Sequence, residues 1–146
     1  QALMAAARRG VKVTILLQGR VEYLLLHYAS QALYGSLLAA DVRIQEYRRS
    51  FLHAKVAVID GHWATVGSSN IDPFSLLLAR EANVVVNDSA FAAELVASLR
   101  LAMQEGAWEV KRDDWGKKSL PARIVNWLAY SLVRLMIGLA GYGRER

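Results

Sequence analysis

His53 and Lys55 stand two residues apart in the stretch HAKVAVIDGHWATVGSSN, which runs from His53 to Asn70. Residues two apart on a strand share a face. An imidazole and an ammonium would then sit side by side, with Cα atoms roughly 6.5–7 Å apart. A His acts near neutral pH as a nucleophile or as a general acid–base group. A Lys and a carboxamide donor can stabilise phosphoryl oxygens as negative charge builds on them. The same stretch offers a hydroxyl at Ser68 and a carboxamide at Asn70. This set suits a phosphodiester, with Lys55, Ser68 and Asn70 around the phosphate. It calls for no metal and no cofactor. The other two histidines, His27 and His62, fall in a predicted helix and a predicted turn, and no carboxylate cluster has metal-ligand spacing.

These groups meet only if a turn brings them together, and Asp60-Gly61 is a strong hairpin signal. With Asp60-Gly61 as the turn, Ile59 pairs with His62 and His53 falls opposite Ser68. With Gly61-His62 as the turn, Asp60 pairs with Trp63 and His53 falls opposite Asn70. Either register sets GSSN beside His53 and Lys55. A purely structural reading stands next to this one. Asp60 and Gly61 would serve only the turn, and Ser69, Asn70 or Asp72 would cap a short helix begun at Pro73. Each residue alone fits that reading; their convergence on one phosphate-sized place points to chemistry.

The elements around the hairpin follow from periodicity and breakers. Ala2 to Arg9 reads as a helix stopped by Gly10. VKVTILL, from Val11 to Leu17, reads as a buried parallel strand. Val21 to Ala40 is too long for a strand and reads as one helix. VRIQEY, from Val42 to Tyr47, alternates as a strand does, and Arg48-Arg49-Ser50 follows as a basic connector. EANVVVN, from Glu81 to Asn87, reads as a further buried strand. Asn87, Asp88 and Ser89 supply cap chemistry for a helix to about Glu105. Strand, helix, strand is the unit of a parallel or mixed α/β sheet.

Composition narrows the partners. The chain has 146 residues, enough for one domain with a core, and a net charge of +5 that suits anionic partners. There is no Cys, which excludes disulfides, thiolate metal sites and thiol nucleophiles. Basic residues are not interleaved with stacking aromatics in one groove-like segment, so nucleic acid is not the expected partner. The opening QALMAAARRG carries neither an initiating Met nor a signal peptide and reads as mid-helix. A piece of a longer protein, or a trimmed chain, is the expectation.

From Lys111 the character changes. KRDDWGKK is polar and charged, and SLPARIVNWLAYSLVRLMIGLAG, from Ser119 to Gly141, is largely apolar, with Pro121 suited to a first helical turn. A spanning helix wants about 20 apolar residues with few charges, and Arg134 would sit deep in the hydrocarbon. A helix lying in the membrane interface fits better, with Trp127 and Tyr130 near the headgroups and Arg123 and Arg134 towards lipid phosphate. Packing on the domain core is the alternative.

The motif HxKxxxxD(x6)GSxN is met at every fixed position by His53, Lys55, Asp60, Gly67, Ser68 and Asn70, with Glu81 eleven residues after Asn70. In this the chain resembles the phospholipase D superfamily. Its flanks, ARRGVKVTILLQG and EYRRSFLHAKVAVIDGHWATVGSSNIDPFSLLLAREANVVV, and its basic-apolar tail resemble the C-terminal half of bacterial cardiolipin synthases, the type without N-terminal transmembrane helices. The resemblance implies an αβα sandwich with a mixed, largely parallel sheet, forming one half of a bilobal, pseudo-two-fold fold. It divides the chain into a catalytic half-domain, residues 1–110, and a membrane-interfacial tail, residues 111–146. It makes His53 either the nucleophile that carries a phosphatidyl group or the general acid. Lys55 and Asn70 would bind the phosphoryl oxygens, Ser68 would support them, and Glu81 would orient His53. Asp60 belongs to the same catalytic set, more as a structural than a reacting residue.

The family's site uses two copies of the motif, and this chain has one: His27 and His62 are not followed by Lys two residues on. The second half-site is expected from a missing N-terminal half or from a second copy of the chain. The implied reaction is phosphatidyl transfer between phospholipids to make cardiolipin. Phosphatidylglycerol would be the substrate, at the cytoplasmic face of the bacterial membrane, to which the protein would bind peripherally. A homodimeric single-motif phosphodiesterase or nuclease, a phospholipase D hydrolase, and an inactive membrane-binding module are the alternatives.

Overall fold

The computed structural model describes residues 1–68 and 80–142, the last four of these by backbone alone. Two compact units emerge. The first joins Gln1–Phe51 to the chain from Gly106 onward, and the second is Leu52–Glu105.

The first unit opens with α1 (Ala2–Arg8), which ends as Gly10 takes a positive φ of 95°. β1 (Thr14–Gln18) follows, then α2 (Leu24–Gln31), α3 (Tyr34–Ala39) and β2 (Arg43–Tyr47). The single helix expected over 21–40 is thus two. Ser30 Oγ donates to the His27 carbonyl at 2.9 Å, and the Leu33 amide turns back to the Ser30 carbonyl at 3.1 Å. Such back-bonding competes with the helical ladder and breaks it there. β1 and β2 pair in parallel, from Thr14 opposite Arg43 to Gln18 opposite Tyr47.

The return of the chain adds β6 (Ala107–Glu109), antiparallel to the free side of β2. This three-residue strand is too short to show in the sequence pattern. α5 (Arg112–Gly116) and α6 (Leu120–Tyr142) complete the unit. Tyr34, Leu38 and Ile44 form its core, with Leu17, Leu37, Val110 and Trp115 packed around them. α6 packs along α2, turning Asn126 and Ala129 inward.

The second unit is an antiparallel meander of β3 (Lys55–Ile59), β4 (Trp63–Gly67) and β5 (Asn83–Asn87), followed by α4 (Ser89–Gly106). Asp88 caps α4, its Oδ1 accepting the Phe91 amide at 2.7 Å. The chain is therefore α/β with a mixed sheet and helices. Among the described strands, however, only β1 and β2 run parallel; the other three pairings are antiparallel. β5 also departs from the buried strand that EANVVVN suggests: Val84 is 64% and Val85 57% exposed. A β-branched run has the same pattern whether its faces are covered or open.

Candidate active site

The motif hairpin is built by β3 and β4, and its register is neither of the two that the turn signal offered. Lys55 pairs with Gly67, and Ile59 with Trp63. Three residues, Asp60, Gly61 and His62, therefore make the loop. Asp60 and Gly61 both take positive φ, 51° and 71°, and the His62 amide donates to the Ile59 carbonyl at 3.3 Å. Asp and Gly are the residue types that adopt this left-handed backbone most readily. His62 is the extra residue, and it shifts every partner by one. Asp60 thus acts at the turn, at the far end of β3 from Lys55, roughly 16 Å away by strand rise.

His53 precedes β3 rather than lying in it. Its imidazole and the Lys55 ammonium are in direct contact, with Lys55 Nζ 2.6 Å from His53 Nε2. An ammonium only donates. In this pairing a neutral imidazole accepts through Nε2 and carries its proton on Nδ1. The contact engages the Nε2 lone pair and sets a cation against it.

Gly67 and Ser68 bind the motif to the third strand. Gly67 lies opposite Asn83. A Cβ at Gly67 would come within 2.5 Å of the Ala82 carbonyl oxygen and 2.7 Å of Asn83 Cα, which leaves no room for any other residue. Next to it, the Ser68 amide donates to the Ala82 carbonyl at 3.0 Å, and the Ala82 amide donates to Ser68 Oγ at 3.1 Å. Ser68 is thus held by backbone, and through Ala82 it fixes the approach of Glu81, the adjoining residue. Glu81 is half-buried, and no hydrogen bond joins it to His53. Asn70 lies outside the described residues, as do Ser69 and the cap residues suggested near Pro73. Among the described residues no group of His, Cys, Asp and Glu is placed to hold a metal ion.

Two residues in the first unit were not singled out by the sequence pattern. Arg20 donates to the carbonyls of Arg48 at 3.0 Å and Arg49 at 2.7 Å, and its guanidinium lies 5.8 Å from the centre of the Phe51 ring. It grips the basic connector that leads the chain to His53. Glu46 is a core carboxylate. It accepts Tyr34 Oη–H at 3.1 Å and pairs with Arg48 at 2.6 Å. Burial first, and the Glu46 charge second, push the Tyr34 hydroxyl well above the usual tyrosine range. One signal could have found Glu46: it shares the i, i+2, i+4 face of VRIQEY with Val42 and Ile44, and all three are buried.

Residues 1–101 match the family described as "Cardiolipin synthase, PLD-like domain". The chain belongs to this family. Cardiolipin synthase B of Escherichia coli strain K12 is 38% identical over 141 residues, which cover 97% of this chain and 34% of that protein. Minor cardiolipin synthase ClsB of Bacillus subtilis strain 168 is 32% identical over 132 residues, covering 90% of this chain and 33% of that protein. Cardiolipin synthase B of Salmonella typhi is 37% identical over 141 residues. The chain spans about a third of the length of these relatives. As a PLD-like chain of the cardiolipin synthase family it carries the motif at His53, Lys55, Asp60, Gly67, Ser68 and Asn70 once.

Proposed function

We propose that this chain supplies one half-site of a phosphatidyltransferase that joins phospholipids into cardiolipin. The 2.6 Å contact between Lys55 Nζ and His53 Nε2 carries the reading. It presents an unprotonated ring nitrogen beside a cation, the pairing needed to attack a phosphodiester and hold its oxygens. When phosphatidylglycerol binds, a phosphoryl oxygen replaces Nε2 as the acceptor of Lys55, and Asn70 adds a second donor. Nε2 then attacks phosphorus, the bond from phosphorus to the glycerol oxygen breaks, and the leaving alkoxide takes a proton from the other half-site. The acceptor lipid's hydroxyl attacks the phosphohistidine, returning its proton to that half-site and releasing cardiolipin and free His53. Glu81 orients His53 through Nδ1–H once substrate closes the site, Ser68 supports the phosphate-binding segment, and Asp60 acts through the turn.

The second half-site comes from a further segment carrying its own motif or from a second copy of this chain. Functionally, residues 1–110 form the catalytic half-domain and residues 111–146 the membrane-facing tail. Among the described residues no helix is long and apolar enough to cross a membrane. Opposite its stripe against α2, α6 carries Leu120, Ile124, Leu128 and Leu135 outward, all exposed. Arg134 flanks this face, its Nη1 donating to Tyr130 Oη at 3.4 Å. An apolar outer face with an arginine margin supports peripheral binding at the cytoplasmic surface of the membrane. The test is cardiolipin formation from phosphatidylglycerol vesicles by the full-length protein, followed by mass spectrometry. Wild type makes cardiolipin and His53→Asn makes none; equal product from both overturns the reading.

A further inference from the structure

A hollow of about 530 Å³ opens in the first unit, where the start of α6 meets α2, α3 and α5. No motif residue lines it. α6 contributes Leu120, Arg123, Ile124, Asn126 and Trp127, and Gly35 and Trp115 belong to the facing wall.

Asn126 is the unexpected residue. It lies on the stripe of α6 that packs along α2, beside Ala129, and is only 4% exposed. Among the described residues its carboxamide has no hydrogen-bond partner. A buried amide left unpaired is destabilising, whereas an apolar residue of similar size in its place is not. The hollow is where this amide finds an opening, since Asn126 lines it.

Arg123 stands one turn earlier on α6. It is the one charged group among the described residues that line the hollow, and it makes no ion pair and no side-chain hydrogen bond with any of them. α6 holds no Asp or Glu. On the facing wall, Trp115 Nε1 lies 3.4 Å from the place a Cβ on Gly35 would take. Its N–H has no acceptor among the described residues. A guanidinium, a carboxamide and an indole N–H thus keep donors unmet in one hollow that no described carboxylate lines. Such a set suits one phosphodiester, whose two free oxygens match the guanidinium fork.

The rim of the hollow is apolar. Leu120 and Ile124 are 67% and 49% exposed and belong as well to the outer face of α6. The donors therefore lie at the margin of that apolar face, the level at which headgroups meet a helix lying in a membrane interface.

We infer that the hollow holds the phosphodiester of one phospholipid, with Arg123, Asn126 and Trp115 on its oxygens and Leu120, Ile124 and Trp127 against the start of its acyl chains. This lipid is additional to the substrate, because no motif residue lines the hollow. The lipid source rests on the reading of α6 as the membrane-facing helix; the phosphodiester site rests on the hollow's own groups.

The probe is dihexanoyl phosphatidylglycerol below its micelle concentration, titrated into full-length His53→Asn protein labelled with fluorotryptophan. Trp115→Phe assigns the Trp115 fluorine resonance, and a saturable shift of that resonance is expected. Arg123→Gln and Asn126→Leu should each weaken the apparent affinity about tenfold, the usual loss when a charged ligand forfeits one good donor. Asn126→Leu should at the same time hold or raise the melting temperature, because the amide has no protein partner to lose. No saturable shift, or unchanged affinity in both folded variants, overturns the site. A lower melting temperature for Asn126→Leu shows that the amide serves the fold and overturns its place in the site. An equal response to inorganic phosphate at the same concentration retains the phosphate-binding groups and overturns the lipid. Cardiolipin formation by protein that keeps His53 is read separately, so either proposal can fail alone.

Discussion

Lys55 Nζ approaches His53 Nε2 to 2.6 Å although the two residues differ in backbone state, Lys55 opening β3 and His53 preceding it. The imidazole thus meets the ammonium from just outside the sheet. Lys55→Met is expected to lower kcat for cardiolipin formation by roughly 100-fold or more, the usual cost of removing a preorganised donor from a developing oxyanion. Lys55→Arg should recover part of it. A Lys55→Met enzyme with unchanged kcat would show that the contact has no catalytic part.

Gly67→Ala forces a methyl into the Ala82 carbonyl and the Asn83 backbone. Overpacking of this kind costs about 1–3 kcal/mol. Denaturant unfolding should report that loss. Activity should fall with it, since β4 and β5 set the approach of Ser68 and Glu81.

Tyr34 links stability to alkaline pH. Its hydroxyl is raised above the ordinary 10.0 by burial and by Glu46, so the folded chain holds the proton more tightly than the unfolded one. The stabilisation is complete below pH 10 and drains away as pH climbs beyond it. Tyr34→Phe should remove that alkaline slope. It should also cost about 1–2 kcal/mol at neutral pH, because Glu46 keeps only Arg48. Unfolding free energies across the pH range test both.

Trp127 and Leu128 are 62% and 54% exposed on α6. Trp127→Glu with Leu128→Glu should leave the melting temperature within error and weaken binding to anionic vesicles by at least about tenfold, each buried side chain contributing on the order of 1.5–3 kcal/mol. Flotation with vesicles measures it. Undiminished binding would take the membrane away from this face.

Much of this was legible in the residues, and the shortfalls have physical causes. The hairpin followed from Asp60-Gly61, because few other pairs take positive φ twice in succession. The register did not, because whether His62 joins the loop or the strand is decided by the whole β3–β4 pairing. The α4 cap was visible at Asp88, since capping is local. The break after Gln31 depends on one hydroxyl, Ser30, choosing a carbonyl over solvent. β6 exists only because β2 had an unpaired side. Glu46 reads as polar and surface-directed until its face is counted with Val42 and Ile44. The motif residues themselves stood out by spacing, but that Ser68 Oγ is occupied by the Ala82 amide required the third strand.

The central claim is that His53 Nε2 carries the phosphatidyl group. The most direct measurement is acid-free quenching of the full-length protein during turnover of phosphatidylglycerol, with peptide mass spectrometry for phosphohistidine. The account predicts a phosphatidyl adduct on the peptide containing His53, absent in His53→Asn. Cardiolipin formation with the adduct found only on a histidine elsewhere would contradict it.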